Sequence, residues 1–167
     1  DAAIDTLTLA LELRRRVDGP THPGVAKTLF NLGNIQYRAR RYDDAIASLS
    51  EGKAILAKSD PPRQRLARYQ FSIGAAHVAA GRLAEARVQL DPLLELFPVA
   101  RGVAGNYGRR LRFLLAIAHI EDDLRRARMW TQMSLDNADP DDSYVDRLEG
   151  LLWLLDTVEY GPNPRPN

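Results

Sequence analysis

Three alanines, Ala45, Ala86 and Ala127, stand 41 residues apart. Leu32, Ile73 and Leu114 keep the same interval, as do Tyr42, Leu83 and Leu124. A fixed period of this length belongs to stacked supersecondary units, each hiding its apolar face against a neighbour, so one register governs the whole chain. Within each unit the Leu or Ile precedes the Ala by 13 positions, with Arg40-Arg41, Gly81-Arg82 or Asp122-Asp123 between them. That spacing predicts helix, tight turn, helix. The small residues belong where two antiparallel helices cross most closely, and larger apolar residues fill the seam around them.

The first unit reads Leu29-Phe30-Asn31-Leu32-Gly33-Asn34-Ile35-Gln36-Tyr37, then Tyr42-Asp43-Asp44-Ala45-Ile46 and Leu49. The second gives Ile73-Gly74, Gly81-Arg82-Leu83-Ala84-Glu85-Ala86, Leu90 and Pro98; the third keeps Leu114 and Ala127 but lacks the Gly and has Thr131 at the place of Leu49 and Leu90. This pattern resembles the tetratricopeptide (TPR) repeat. The resemblance implies an all-α fold, a right-handed superhelix of antiparallel helix hairpins with a C-terminal capping helix. The period exceeds the usual 34 residues, and the run from Ala10 through Gly19-Pro20-Thr21-His22-Pro23 to Val25-Ala26 is similar to the kinesin-light-chain type of TPR. C-terminal TPR arrays of bacterial serine/threonine kinases also resemble it, although no kinase motif is present. Ala3, Leu7 and Ala10 stand where Ala45, Leu49 and Gly52 stand one unit later. Residues 2–16 therefore read as the second helix of a truncated repeat, and the chain as a fragment of a larger bacterial protein.

The expected organisation is a single TPR domain over residues 1–160, with repeats at 24–57, 64–98 and 106–138, a capping helix at 143–158 and a disordered tail at 161–167. Helices are expected at 2–16, 24–39, 42–57, 64–80, 83–96, 106–120, 123–137 and 143–158. His22 with Pro23, the Ser59-Asp60-Pro61-Pro62 run, and a capping box from Ser143 to Asp146 mark helix ends. Pro92 is expected to kink the fifth helix, because a proline in a helix interior removes one hydrogen bond. The last helix carries Tyr144, Val145, Leu148, Leu151, Leu152 and Leu155 on one face. Met129, Trp130, Met133 and Trp153 read as core and cap packing.

Chemistry is hard to find. There is no Cys, which excludes thiolate catalysis. His22, His77 and His119 never fall three or four apart, the spacing that sets two metal ligands on one helix face. Gly102-Val103-Ala104-Gly105-Asn106-Tyr107-Gly108-Arg109-Arg110 lacks the glycine spacing of a nucleotide site and reads as a flexible connection with Asn106 capping the next helix. No catalytic residue, cofactor or metal is expected. A net charge of +1 gives no general pull toward nucleic acid. No apolar run approaches the roughly 20 residues of a membrane span, and no leader segment opens the chain; a cytoplasmic protein is expected.

What remains is a surface for a protein or peptide. The resemblance places the first helix of each pair on a concave wall, with Phe30, Asn34, Tyr37 and Arg38 in the first unit, Arg68, Phe71, Ala75 and Val78 in the second, and Arg109, Arg112, Ala116 and His119 in the third. Aromatics flanked by arginines suit an acidic peptide with an apolar anchor. The carboxylate clamp of co-chaperone TPRs is kept only at Asn34 and in the charge of Arg109, which argues against a chaperone-tail receptor. Two rival roles are a regulatory region of a bacterial kinase and self-association through an N-terminal face bearing Ile4, Leu7 and Leu11.

Overall fold

The computed structural model describes residues 2–96, 103–136, 138 and 145–160. Among them are eight α-helices and no strand: α1 (Ala2–Asp18), α2 (Pro23–Arg38), α3 (Tyr42–Ala57), α4 (Arg63–Ala79), α5 (Leu83–Leu90), α6 (Val103–Ala118), α7 (Leu124–Asp136) and α8 (Val145–Tyr160). The all-α expectation holds, and seven of the eight helices follow the predicted spans to within a few residues. They group into two compact units, Asp1–Gln89 and Leu90–Asn167. Pro98, Ser143, Tyr144 and the 161–167 tail lie outside the described residues.

In the first unit α1 packs on α2, α2 on α3, and α3 on α4. The α2–α3 hairpin closes over its glycines: a Cβ at Gly33 would stand 2.6 Å from Leu49 Cγ and 3.1 Å from the Ala45 carbonyl oxygen. Only a residue without a side chain lets the backbones approach this far. Around this crossing Val25, Leu29 and Leu49 are fully enclosed, each contributing roughly 1.5–3 kcal/mol by leaving water. Two side chains are paired across helices inside this unit. The Tyr69 hydroxyl donates to the Ala26 carbonyl at 2.8 Å, tying α4 to α2, and Ser48 Oγ donates to Gln36 Oε1 at 2.8 Å across the hairpin.

The turns repeat as the sequence does. Ala45, Ala86 and Ala127 donate their backbone N–H groups to Arg41, Arg82 and Asp123 at 3.0 Å in each copy. Arg41 and Arg82 donate back to Gln36 and His77 at 2.9 Å, and the residues before them, Arg40 (φ 61°) and Gly81 (φ 74°), take the left-handed conformation that closes such helix ends. His22 caps α2 as expected, its Nδ1 accepting from Gly24 N–H at 3.1 Å, with Pro23 opening the helix.

Two expectations fail at helix ends. Pro92 does not kink a long fifth helix. The α-helix stops at Leu90, and Asp91–Leu93 forms a single 3₁₀ turn, because the proline ring excludes the carbonyl four residues back and supplies no N–H. Asn106 is not a cap: α6 already begins at Val103, so Asn106 lies within its first turns and the stretch from Val103 onward is helical rather than a loose connection. Gly105 and Gly108 are tolerated inside it because glycine costs only about 1 kcal/mol in a helix.

In the second unit α7 packs on both α6 and α8. Asp123 caps α7 by accepting the Arg126 N–H at 2.9 Å. Thr131, standing where the other units have leucine, is fully buried and donates its hydroxyl to the Ala127 carbonyl at 2.9 Å, so the polar atom is satisfied within its own helix. Arg128 reaches Asp156 at 2.7 Å, linking α7 to α8, while Leu148 and Leu155 are buried. Trp130 is also buried, but Met129 and Trp153 are exposed. The reading of those two as core or cap packing is corrected, since they project from the outer sides of α7 and α8.

Candidate peptide-binding cleft

A cleft of about 510 Å³ opens along α2 and α4, with Leu56 of α3 also lining it. Its α2 wall is Pro23, Gly24, Lys27, Phe30 and Asn31, and its α4 wall is Arg65, Arg68 and Tyr69. The helical rise explains the grouping. Lys27, Phe30 and Asn31 are spaced i, i+3, i+4, and Arg65, Arg68 and Tyr69 repeat that spacing, so each trio forms one stripe.

The floor is aromatic and the rim is cationic. The rings of Phe30 and Tyr69 lie 4.7 Å apart and tilted by 58°, within the centroid range of favourable aromatic pairs. The Arg68 guanidinium sits over Phe30, 5.4 Å from its centroid, which holds the arginine in place by about 0.5–1 kcal/mol. Lys27, Arg65 and Arg68 are exposed, and none of the described lining residues is acidic. Tyr69 is bound by its hydroxyl to α2, and burial pushes its ionisation above the usual phenol range against the opposing pull of Arg68. It is a fixed wall, not an acid or base.

The predicted site residues separate into those in the cleft and those elsewhere. Phe30 and Arg68 line it. Asn34 is half-buried one turn further along α2, donating to the Phe30 carbonyl at 2.8 Å and accepting from Ser72 at 3.4 Å. Tyr37 packs 5.9 Å from Tyr42 at the hairpin turn, and Arg38 is exposed at the end of α2. Phe71, Arg109, Arg112 and His119 are buried, at 3%, 7%, 6% and 7% exposure, so the expectation that they face an open groove is corrected. Phe71 lies one stripe round α4 from Arg65 and Arg68, on the core side. His119 is held within the second unit, with Nε2 3.1 Å from Asp91 Oδ1 and its ring 5.0 Å from Trp130. Burial lowers the ionisation of the Arg112 guanidinium. Ala75 and Val78 are half-buried and Ala116 is buried.

Lys27, Asn31, Arg65, Tyr69 and Leu56 are cleft residues that counting from the Leu-Gly landmark does not reach. The signal that finds all but Leu56 is the shared i, i+3, i+4 stripe on two consecutive first helices. The N-terminal face is also redrawn: Ile4 and Leu11 are buried in the core of the first unit with Leu7 packed beside them, and the exposed large apolar residues of α1 are Leu9, Leu13 and Val17.

Among the described residues no group of three or more His, Cys, Asp or Glu is placed to hold a metal ion, and no helix is long and apolar enough to cross a membrane. No curated protein matches the chain. Residues 1–58, which span α1, α2 and α3, match the tetratricopeptide repeat family model. The match supports a TPR repeat protein, and repeats of this family generally mediate protein–protein interactions.

Proposed function

We propose that this chain is a non-catalytic interaction module that holds an extended, acidic segment of a partner protein in the cleft between α2 and α4. The observation that carries this reading is the pairing of an aromatic floor, Phe30 on Tyr69, with three exposed cations and no acidic lining residue. An apolar partner side chain gains by covering Phe30, and carboxylates gain charge-assisted hydrogen bonds from Lys27, Arg65 and Arg68. The Arg68–Phe30 stack favours affinity because the guanidinium is already positioned and little side-chain entropy is lost on binding. The Gly19-Pro20-Thr21-His22-Pro23 turn, with Gly19 at φ 90°, supports assigning the repeats to the kinesin-light-chain kind.

The test is fluorescence anisotropy of a labelled 12-residue peptide of Glu and Asp with one central Leu. Binding is expected to weaken with added salt and to fall at least about tenfold in the Arg65→Glu, Arg68→Glu double variant, about 1.4 kcal/mol or more. Both arginines are exposed, so the variant keeps its fold. Affinity unchanged by the double charge reversal overturns the reading.

A further inference from the structure

Arg14, Arg15, Arg41 and Arg82 of the first unit each meet a carboxylate, those of Asp18, Glu51, Asp44 and Asp43 in turn. The three cations of the cleft do not. Lys27, Arg65 and Arg68 form no ion pair among the described residues, and the contact that Arg68 makes is with the Phe30 ring. Together they present hydrogen-bond donors and no acceptor, so the anion they fit is one that only accepts.

Spacing separates a run of carboxylates from a single larger anion. Arg65 and Arg68 stand three residues apart on one stripe of α4, an axial rise of about 4.5 Å. Side chains on one side of an extended partner lying along the cleft recur about every 6.6 Å. Successive carboxylates therefore fall out of step with the two guanidinia, and one anion that both can reach does not. Arg68 is held for this by Phe30, its guanidinium 5.4 Å from the ring centroid. A phosphate monoester offers three acceptor oxygens and a charge of roughly −1.5 to −2 near neutral pH, more of both than a carboxylate, and the guanidinium fork matches its geometry. Two neighbours already occupy the Phe30 ring, Arg68 over it and Tyr69 tilted against it. A phosphate on a short stem suits that arrangement better than phosphotyrosine, whose ring would have to displace the arginine.

We propose that the partner segment held in this cleft carries a phosphoserine or phosphothreonine, whose phosphate accepts from Arg65 and Arg68 of α4 and from Lys27 of α2. The proposal rests on the reading of the cleft as a peptide site and adds what controls it. Phosphorylation of the partner supplies the charge that three uncompensated cations lack, so the modification strengthens binding with no change in this chain. Acidic neighbours of the phosphorylated residue add attraction at the exposed rim, where each is worth less.

The test makes the labelled acidic peptide in two forms, with Glu or phosphoserine beside the central Leu, and compares their affinities by anisotropy. The phosphoserine form is expected to bind at least about tenfold more tightly than the Glu form. Arg65→Gln is expected to lower that ratio at least about threefold, and Arg16→Gln, at an exposed arginine of α1 outside the cleft, to leave it as it is. A smaller ratio in the parent, or a fall with Arg65→Gln no larger than with Arg16→Gln, overturns the proposal. When the Glu form binds and phosphoserine adds nothing, the cleft reading stands and the phosphate alone is lost; when neither form binds, both readings are lost. A short single-stranded oligonucleotide that binds as tightly as the phosphoserine peptide also overturns the proposal, making nucleic acid the occupant.

Discussion

Gly33→Ala sets the helix-crossing argument against helix propensity, because the two forces act in opposite directions at that position. In a free helix the change is favourable by about 1 kcal/mol. Here the added methyl would sit 2.6 Å from Leu49 Cγ and 3.1 Å from both Leu49 Cδ2 and the Ala45 carbonyl oxygen. Leu49 has no exposed surface and no room to turn away, and the carbonyl belongs to α3 itself, so the helices must part. Overpacking of this kind costs roughly 1–3 kcal/mol, leaving a net loss of about 0–2 kcal/mol after the propensity gain. Gly150 in α8 is the control. A Cβ there meets nothing within 4 Å, so Gly150→Ala is expected to stabilise by up to about 1 kcal/mol. The two effects fall in different compact units and need separate probes. Trp130 and Trp153, the only tryptophans, both lie in Leu90–Asn167, so urea unfolding followed by tryptophan fluorescence reads Gly150→Ala. Hydrogen exchange of α2 and α3 amides reads Gly33→Ala. A Gly33→Ala protein more stable than the parent would refute the claim that the missing side chain sets the distance between these helices.

Arg40→Gly is expected to stabilise the first unit by about 0.5–1 kcal/mol in the same exchange assay, since a non-glycine residue at φ 61° is strained where the equivalent turn has Gly81 at φ 74°. His77 is expected to make the fold acid-sensitive. Its Nδ1 is buried without a hydrogen-bond partner, and burial and then Arg82 lower its ionisation below the usual imidazole range, against the weaker pull of Glu85 and Asp43. The unfolded chain therefore takes the proton first: stability is fully present above about pH 6.5 and declines as pH falls through the depressed folded value. Urea midpoints at pH 7.5 and 5.5 are expected to differ less in His77→Gln than in the parent; an unchanged difference would assign the acid sensitivity to other groups.

The parts of the fold legible from residue order are those fixed by close packing. Ala45, Gly33 and the hairpin turns repeat because backbone-to-backbone distance tolerates few substitutes, and such positions announce themselves by size alone. Helix ends are legible where the capping group is local, as at His22, and illegible where it is not. Pro92 is visible as a breaker, but whether a helix bends or stops there depends on how the residues after it pack, and the 3₁₀ turn with Leu93 buried is a tertiary outcome. Trp153 misleads because size and apolarity favour burial without guaranteeing a neighbour on that side of the helix. Thr131 shows the converse, a polar residue accepted inside because its hydroxyl bonds one turn back along α7.

The cleft shows why charge is the hardest feature to place. Residues 61–135 carry 12 basic and 6 acidic side chains, and sequence register makes Arg68 and Arg109 equivalent positions on successive first helices, with Arg112 at the place of Phe71. Their environments are not equivalent. Arg68 is exposed above Phe30, whereas Arg109 and Arg112 are almost wholly enclosed. An exposed arginine keeps its hydration until a ligand replaces it, so it supplies affinity and steering at modest cost. An enclosed one has already given up water, and removing its charge exposes the desolvation cost of whatever it satisfied. The same residue type thus stands open on α4 and enclosed on α6, and the difference lies in whether neighbouring side chains leave the guanidinium exposed. Charge reversal at Arg65 and Arg68 therefore tests binding, while the same change at Arg109 and Arg112 tests folding.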